Sequence, residues 1–433
     1  MSQLPPGWTH ATLGEVALWG SGGTPRANVG RYYGGGIPWA VIGDLNDATV
    51  YETASSITKD GLAESSARLV PHGTVLIAMY GSIGKLGIAG VEMATNQAIA
   101  FAQPHRSVEA RFLFWYLRSQ RGLLGGAGKG ATQTNISQTI LRPWPIPIPP
   151  LSEQRRIVTA IEEQLSRIDA ADASLVAAFS RLEVLERTAI IVALGNHWPK
   201  VSLGDVATID SGPAFKSAYF GGPNDGVKLL RGENIEPGAL RWRDTRTWPL
   251  SLLDGYEHLF IEATDLILAM DRPVISTGLK LAPVNTSDLP ALLVQRVARI
   301  RPLDCVLPGY LYAALRHPAF VPHLIGDQTG TQLPHITLAG IRSFELALPP
   351  LDEQFRIATR IDKHLSAIDG LRATIVRARH RSRSLRHAVL NTAFRGELVR
   401  QDPSDEPALL LLERMRSQRD AAPATARSRR VQA

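Results

Sequence analysis

Hydrophobic residues recur every seven positions in two long stretches of the chain. In the first stretch these residues are Ile161, Ile168, Leu175, Leu182 and Ala189. A second apolar residue stands three positions after each of the last four, at Ala171, Ala178, Leu185 and Val192. The second stretch keeps this register with Ile361, Ile368, Ile375, Val389 and, alongside, Leu371, Ala378, Leu385. A seven-residue repeat of this kind predicts a coiled-coil seam. A single such helix could equally pack on its own domain, but two helices in matching register favour pairing with each other.

The remaining sequence is patterned differently. Residues 1–150 and 197–350 are rich in Gly and Pro and hold short apolar runs such as GTVLIAMY and DLILAM. Such runs between turn residues predict β-strands. One helix is predicted in each region, at ARFLFWYLRSQ and at GYLYAALRHP. Each region is therefore predicted to be a small mixed domain of strands and helices.

The two halves of the chain repeat each other. PPLSEQRRIVTAIEEQLSRID from Pro149 and PPLDEQFRIATRIDKHLSAID from Pro349 share 13 of 21 positions, and LGEVALWGSGGTPR from Leu13 resembles LGDVATIDSGPAFK from Leu203. A repeat on this scale indicates two copies of one structural unit. The predicted boundaries are 1–150, 151–196, 197–350, 351–400 and 401–433, in which the second and fourth ranges are the heptad helices and the last is a helical segment with a frayed basic tail.

Composition excludes several classes of protein. The chain of 433 residues has one cysteine, Cys305, so an intrachain disulfide and a cysteine-based zinc site are impossible. No stretch is long and apolar enough to span a membrane, and the start does not resemble a secretory signal, which favours the cytoplasm. The histidines are scattered, so no metal site is expected. A net charge of +7 is compatible with a polyanionic partner such as DNA.

No catalytic motif is found. The segment YGSIGKLG has two residues between its glycines, and Leu86 follows Lys85, so it does not fit a phosphate-binding Walker loop. Methyl-donor, adenine-flipping and helicase motifs are absent from the sequence, and acidic pairs such as Glu162 and Glu163 are interpreted as solvated surface. We therefore predict no catalytic residue in this chain.

The remaining candidates for function are polar and basic residues on predicted loops, which could reach base edges and phosphates. Lys85 and Lys280 are expected to contact phosphate. The full set of candidate DNA-binding residues is Arg26, Tyr80, Lys85, Lys129, Gln133 and Asn135 in the first copy and Arg231, Asn234, Arg243, Arg272, Lys280, Gln332 and His335 in the second.

The repeated Pro-Pro-Leu-x-Glu-Gln entry to a long heptad helix resembles the specificity subunits of type I restriction-modification systems, and the resemblance covers nearly the whole chain. Its other marks include YYGGGIPWAVIGDL, LRGENI, ATQTNIS, TQLPHIT and AFRGELVRQDPSDEPALLLLERMR. It implies an α+β fold in which two pseudo-symmetric mixed α/β target recognition domains are separated by a long antiparallel two-helix coiled coil.

The resemblance further implies that each domain reads one half of a bipartite site in double-stranded DNA, while the coiled coil sets the spacer. Such subunits assemble with two methyltransferase subunits and two motor-nuclease subunits, which use S-adenosylmethionine, ATP and magnesium; no cofactor is expected in this chain. Two alternatives stay open at this point: the recognition part of a fused restriction enzyme or methyltransferase, and a coiled-coil scaffold that binds no DNA. The bases read and the spacer length are not encoded in any recognisable motif.

Overall fold

The computed structural model describes residues 4–127, 135–195, 197–222, 225–326 and 336–421. The chain divides into two units, Met1–Ser174 with Ala378–Ala433, and Leu175–Arg377. Each unit contains one strand-rich domain and one stretch of each of two long helices. Among the described helices, none is long and apolar enough to cross a bilayer.

The first unit is built on two sheets. A five-stranded sheet has the order β2-β10-β7-β8-β4 and a four-stranded sheet the order β5-β3-β9-β6. β1 pairs antiparallel with β11, so the strands at which the chain enters and leaves the domain lie side by side. The elements are β1 Thr9–Thr12, α1 Leu13–Val16, β2 Ala17–Ser21, β3 Tyr33–Ala40, β4 Ala48–Val50, β5 Ser56–Ile57, α2 Lys59–Ala63, β6 Leu69–Val70, β7 Val75–Ala78, β8 Leu86–Ala89, β9 Met93–Thr95, β10 Ile99–Pro104, α3 Ala110–Ala127, α4 Gln138–Leu141, β11 Pro145–Ile148 and α5 Leu151–Leu194.

The second unit repeats this plan in smaller sheets. Its main sheet has the order β13-β23-β18-β21 beside a three-stranded sheet, β17-β14-β22, and β12 pairs with β24 as β1 does with β11. The elements are β12 Lys200–Ser202, α6 Leu203–Val206, β13 Ala207–Ser211, β14 Val227–Leu230, β15 Ile235–Glu236, β16 Ala239–Leu240, β17 Thr247–Trp248, β18 Leu266–Ala269, β19 Val274–Ile275, β20 Gly278–Leu279, β21 Leu281–Pro283, β22 Ala291–Leu293, β23 Val297–Pro302, α7 Pro308–Leu315, α8 Phe320–Ile325, α9 Leu338–Arg342, β24 Glu345–Ala347 and α10 Leu351–Phe394. The last helix of the chain, α11 Ala408–Ala421, belongs to the first unit.

The two long helices pair antiparallel within each unit. In the first unit Asp169 of α5 pairs with Arg386 of α10, and Asp172 lies 3.5 Å from Arg379. In the second, Arg372 lies 2.5 Å from Glu186 and Arg360 donates to the carbonyl of Ala193. The numbering falls along α10 as it rises along α5, as an antiparallel pair requires. The predicted mixed fold with an antiparallel helix pair is confirmed.

One part of the predicted seam is wrong. The first set of heptad positions is buried, as at Ile161, Leu182 and Ile361, or partly buried, but Leu185 and Val192, which we placed three positions later, are 55% and 72% exposed. The seam instead uses positions four residues after the first set. Those positions are Leu165, Asp172, Phe179, Glu186 and Ala193 on α5 and Leu365, Arg372, Arg379, Arg386 and Ala393 on α10. Several of them are charged, so apolar periodicity does not reveal them.

The repeated Glu-Gln motif has a structural explanation. Gln154 and Gln354 are fully buried at the starts of α5 and α10. The Oε1 atom of Gln354 accepts from the Leu307 N–H at 2.8 Å, and its Nε2 donates to the Cys305 and Pro349 carbonyls at 3.0 and 2.9 Å. Gln154 bonds Glu109, Ser107 and Pro149 in the same way. One buried amide therefore ties each domain to the first turn of its own long helix.

Candidate nucleic-acid interface

In the first unit, a lysine and an arginine hold two loops at the sheet end. Lys85 Nζ lies 3.3 Å from the Ile42 carbonyl and 3.5 Å from that of Gly43, in the 3₁₀ turn Ile42–Asp44. Asp47 accepts from the Leu86 N–H and from both ends of the Arg121 guanidinium, which also donates to the Gly84 carbonyl. Burial would raise the pKa of Asp47. The hydrogen bonds from Arg121 and from the Leu86 N–H outweigh burial, so the pKa of Asp47 lies below its ordinary value. The glycine turn before Lys85 is thus rigidly placed.

The second unit holds the matching turn with the matching lysine. Lys280 Nζ donates to the carbonyl of Gly232, the first residue of the 3₁₀ turn Gly232–Asn234, just as Lys85 does to that of Ile42, the first residue of its turn. Burial lowers the pKa of Lys280 and outweighs the opposing charge of Glu233. Sequence reasoning assigned both lysines to phosphate. The structure shows their amines on backbone carbonyls, and the assignment to phosphate remains a prediction.

Asn234 has a role inside the domain. Its side chain is 2% exposed, accepts from the Arg231 N–H at 3.0 Å and donates to the Arg241 carbonyl at 3.0 Å. With its oxygen and nitrogen bonded to backbone, it shapes the turn, and we leave it out of the proposed DNA surface. Asp44 occupies the same place in the first unit, where it accepts from the Val41 N–H at 2.8 Å.

Three candidate arginines gather around the second-unit turn. Arg231 pairs with Glu233 at 2.6 Å, the carbonyl of Arg243 receives Asn234 Nδ2 at 3.5 Å, and the charge of Arg272 acts on Lys280. Arg243 and Arg272 are exposed, and Arg272 has a positive φ of 46°. These side chains can reach a ligand at one edge of the domain.

The first-unit candidates form a smaller group. Tyr80 is 42% exposed and follows Met79, whose carbonyl accepts from the Ile136 N–H at 3.1 Å; Asn135 therefore lies beside Tyr80 and the Lys85 turn. Arg26 is exposed on a separate loop that the hydrogen bonds do not connect to this group. Four further candidates, Lys129, Gln133, Gln332 and His335, lie outside the described residues.

Sequence reasoning missed the arginines that lie between each domain and the helices. Arg316, the C-cap residue directly after α7, pairs with Glu186, and Glu186 also binds Arg372 of α10. Burial would raise the pKa of Glu186, but the Arg372 hydrogen bond and the charge of Arg316 hold it below its ordinary value. In the first unit Arg118 stacks 5.0 Å over the Trp115 ring. The Leu-Arg pair repeated at the ends of the two predicted helices was the available signal.

In the part of the chain that the structure describes, no three His, Cys, Asp or Glu side chains form a group that could hold a metal ion. What the loops offer is a set of donors at the edge of each of two similar domains, and such a set can bind an extended polyanion.

Comparison with known proteins identifies the family. The family model described as "Type I restriction modification DNA specificity domain" matches residues 5–171 and again 196–376. This chain belongs to that family. The resemblance inferred from the repeated Pro-Pro-Leu-x-Glu-Gln motif is confirmed, and so is the presence of two specificity domains.

Relatives of the specificity family align over most of the chain. The type I restriction enzyme MjaVIII specificity subunit of Methanocaldococcus jannaschii is 24% identical, over 92% of this chain and 94% of that protein. The EcoKI specificity subunit of Escherichia coli K12 is 22% identical, over 97% of both chains.

Solved structures share the fold. A chain from work described as the structural basis of complex assembly and conformational transition of the type I R-M system superposes with a TM-score of 0.76, at 20% identity, over 92% of this chain and 100% of that one. The HsdS subunit from Thermoanaerobacter tengcongensis gives a TM-score of 0.58, at 21% identity, over 91% and 98%.

Proposed function

We propose that this chain is the non-catalytic subunit that reads DNA sequence for a type I restriction-modification complex. Each domain reads one half of a bipartite site, and the paired helices set the spacer between the halves. The observation that carries the proposal is the repetition of one arrangement: a lysine-held 3₁₀ turn with exposed side chains beside it in both domains. Direct sequence readout needs such donors on a rigid support.

Partners supply the chemistry in this proposal. Two methyltransferase subunits methylate adenine with S-adenosylmethionine, and two motor-nuclease subunits use ATP and magnesium. The long helices offer the docking surface for the methyltransferase subunits. Because chromosomal and incoming DNA are the substrates, the complex works in the cytoplasm.

Exchange of one domain tests modular reading. Methylated adenines are first mapped in the host genome with and without this gene, which defines the two half-sites. Residues 197–350 are then replaced by the corresponding domain of a relative, and the map is repeated. We expect one half-site to change and the other to persist, because each domain has its own strands and its own helix entry. A change in both half-sites would contradict modular reading, and methylation or cleavage of DNA by the purified chain alone would contradict the non-catalytic assignment.

Two single variants test the second-unit surface. Arg243→Ala and Arg272→Ala are compared with Arg395→Ala, an exposed arginine of the C-terminal segment that pairs with Glu397. If the arginine contacts a base, we expect its removal to relax specificity at one half-site by about 1–3 kcal/mol. If it contacts a phosphate, we expect the slope of the logarithm of the binding constant against the logarithm of the salt concentration to fall by about one. The control should bind as the parent does. Parent-like binding by both test variants would remove this edge from the DNA surface.

A further inference from the structure

In the first unit, the C-terminal segment covers one face of the strand-rich domain. Asp405 accepts from Arg156 at 2.6 Å and from Ser152, at the start of α5. At the other end, Arg416 of α11 donates to Glu15 at 2.7 Å, and Leu412 and Met415 between them are buried in the domain core. The segment is thus held by an acid near its amino end, an apolar stripe and a base near its carboxyl end.

The second unit has the same face and nearly the same residues on it. Asp205 in Leu-Gly-Asp-Val is equivalent to Glu15 in Leu-Gly-Glu-Val. Arg356 of α10 is equivalent to Arg156 of α5. The backbone agrees, because the Leu303 N–H donates to the Val206 carbonyl as the His105 N–H donates to that of Val16. His105 lies 3.1 Å from Gln418 of the segment, so Leu303 marks the same end of the face.

No described residue covers the second-unit face as the C-terminal segment covers the first. Arg356 is 71% exposed where Arg156 is 38% exposed, and among the described residues its ion pair is with Glu353 on its own helix. Glu353 is partly exposed, whereas Glu153 is sealed under Trp8 and Gln401. Leu303 is exposed as well, and residues 195–199 alone join α5 to β12, which leaves no length for a covering segment at this point of the chain.

We propose that the face formed by Trp198, Val201, Asp205, Leu303 and Arg356 is a docking site for a helix of a different protein. That helix carries a carboxylate near its amino end for Arg356, an apolar stripe, and a guanidinium or amine about three turns later for Asp205. This is the chemistry of residues 405–416, which bind the equivalent face in the first unit. A second copy of this chain is the poorer occupant, because its segment would have to leave its own unit and expose Leu412 and Met415. The proposal does not depend on DNA recognition.

The single cysteine reports on this face. Cys305 is exposed in the loop that begins at Leu303. Its backbone carbonyl accepts a hydrogen bond from Gln354 at the start of α10. The experiment measures the rate at which a maleimide modifies Cys305 in the full chain, by intact-mass spectrometry, with increasing amounts of a synthetic peptide of residues 402–418. We expect saturable slowing of the reaction. Displacement of the chain's own segment in the first unit would leave Cys305 unprotected, so the readout is specific to the second-unit face.

Charge reversal gives the control. Asp205→Arg should weaken the peptide's affinity about tenfold, and a peptide with Arg416→Glu should recover most of the loss, because the ion pair is restored with opposite signs. Asp254→Arg, at an exposed aspartate elsewhere in the second unit, should have no effect. The proposal would be overturned if millimolar peptide did not slow the modification of Cys305, or if the slowing were the same in the Asp205→Arg variant. Protection of Cys305 that grows with protein concentration together with a dimer in sedimentation would assign the face to a second copy and overturn it too.

Discussion

Replacement of Gln354 by Leu removes the side-chain hydrogen bonds that join the second domain to the start of α10, while keeping the side-chain volume similar. The Leu307 N–H and the Cys305 and Pro349 carbonyls each lose their partner beside a fully buried side chain. A buried polar group left unpaired costs about 1–3 kcal/mol, and the added apolar contact of Leu offsets part of this. For three such groups, with one of them able to find water at the exposed Cys305 loop, we expect a loss of about 2–4 kcal/mol in the free energy of unfolding of the second unit.

Urea unfolding and hydrogen exchange measure this loss separately. The urea midpoint gives the stability change, and hydrogen exchange detected by mass spectrometry shows where protection is lost. We expect faster exchange in residues 305–315 and unchanged exchange in the first unit. Gln154→Leu is the matched variant, with the pattern moved to residues 107–117. Faster maleimide reaction at Cys305 provides a third measurement. A stability change below about 0.5 kcal/mol, within the range of an ordinary surface substitution, would refute the role assigned to this amide.

Three further predictions concern charge and length. Glu186→Gln should cost about 1–2 kcal/mol at pH 7, after allowance for partial solvent screening. Because the folded pKa of Glu186 lies below its ordinary value, this stabilisation is fully present above that ordinary value and is lost as pH falls through the folded pKa. The urea midpoints of the parent and the variant should therefore converge in acid, and equal midpoints at pH 7 would contradict the prediction. If the Lys280 amine only binds the Gly232 carbonyl, Lys280→Met should weaken binding at one half-site and leave the salt dependence of binding unchanged. A slope of log affinity against log salt concentration that is smaller by about one would show that Lys280 contacts phosphate. Deleting the facing heptads 172–178 and 376–382 shortens each helix by about 10 Å, which should abolish tight binding or select a spacer shorter by about three base pairs; undiminished affinity for the original spacer would show that the helices do not set it.

Local patterns were enough to predict the repeat, the paired helices and the mixed domains. Proline pairs set the helix entries, because Pro is tolerated in a first helical turn, and α5 and α10 do begin directly after Pro150 and Pro350. The buried heptad positions from Ile161 to Ile375 followed from apolar spacing. The other half of the seam did not, because Asp172, Glu186 and the facing arginines look like solvated surface in a sequence and become seam residues only when the opposite charge lies across from them.

The site was less predictable than the fold. Polarity on a predicted loop selected Arg243, which is exposed, and Asn234, which is buried, with equal weight. The difference lies in local geometry, because an Asn at the third position of a 3₁₀ turn can bond the N–H that opens the turn. In the structure Asp44 and Asn234 both take the third position of such a turn. Alignment of IGDL from Ile42 with RGEN from Arg231 matches Asp44 to Glu233 instead, so the alignment did not reveal this capping role. The three-dimensional partner of each lysine, a carbonyl 43 residues away for Lys85 and 48 for Lys280, left no trace in composition or spacing.

The charges in the seam also explain how a repeated helix pairs with its counterpart and not with a copy of itself. Every interhelical ion pair described places the acid on α5 and the arginine on α10: Asp169 and Asp172 with Arg386 and Arg379, and Glu186 with Arg372. Position 186 is equivalent to 386, and position 172 to 372. In a pair of two α10 helices Arg372 would therefore face Arg386, and in a pair of two α5 helices Asp172 would face Glu186. Like charges across a seam are destabilising where opposite charges stabilise. The apolar repeat alone permits all three pairings, and the difference between the acids of α5 and the arginines of α10 selects the pairing of α5 with α10.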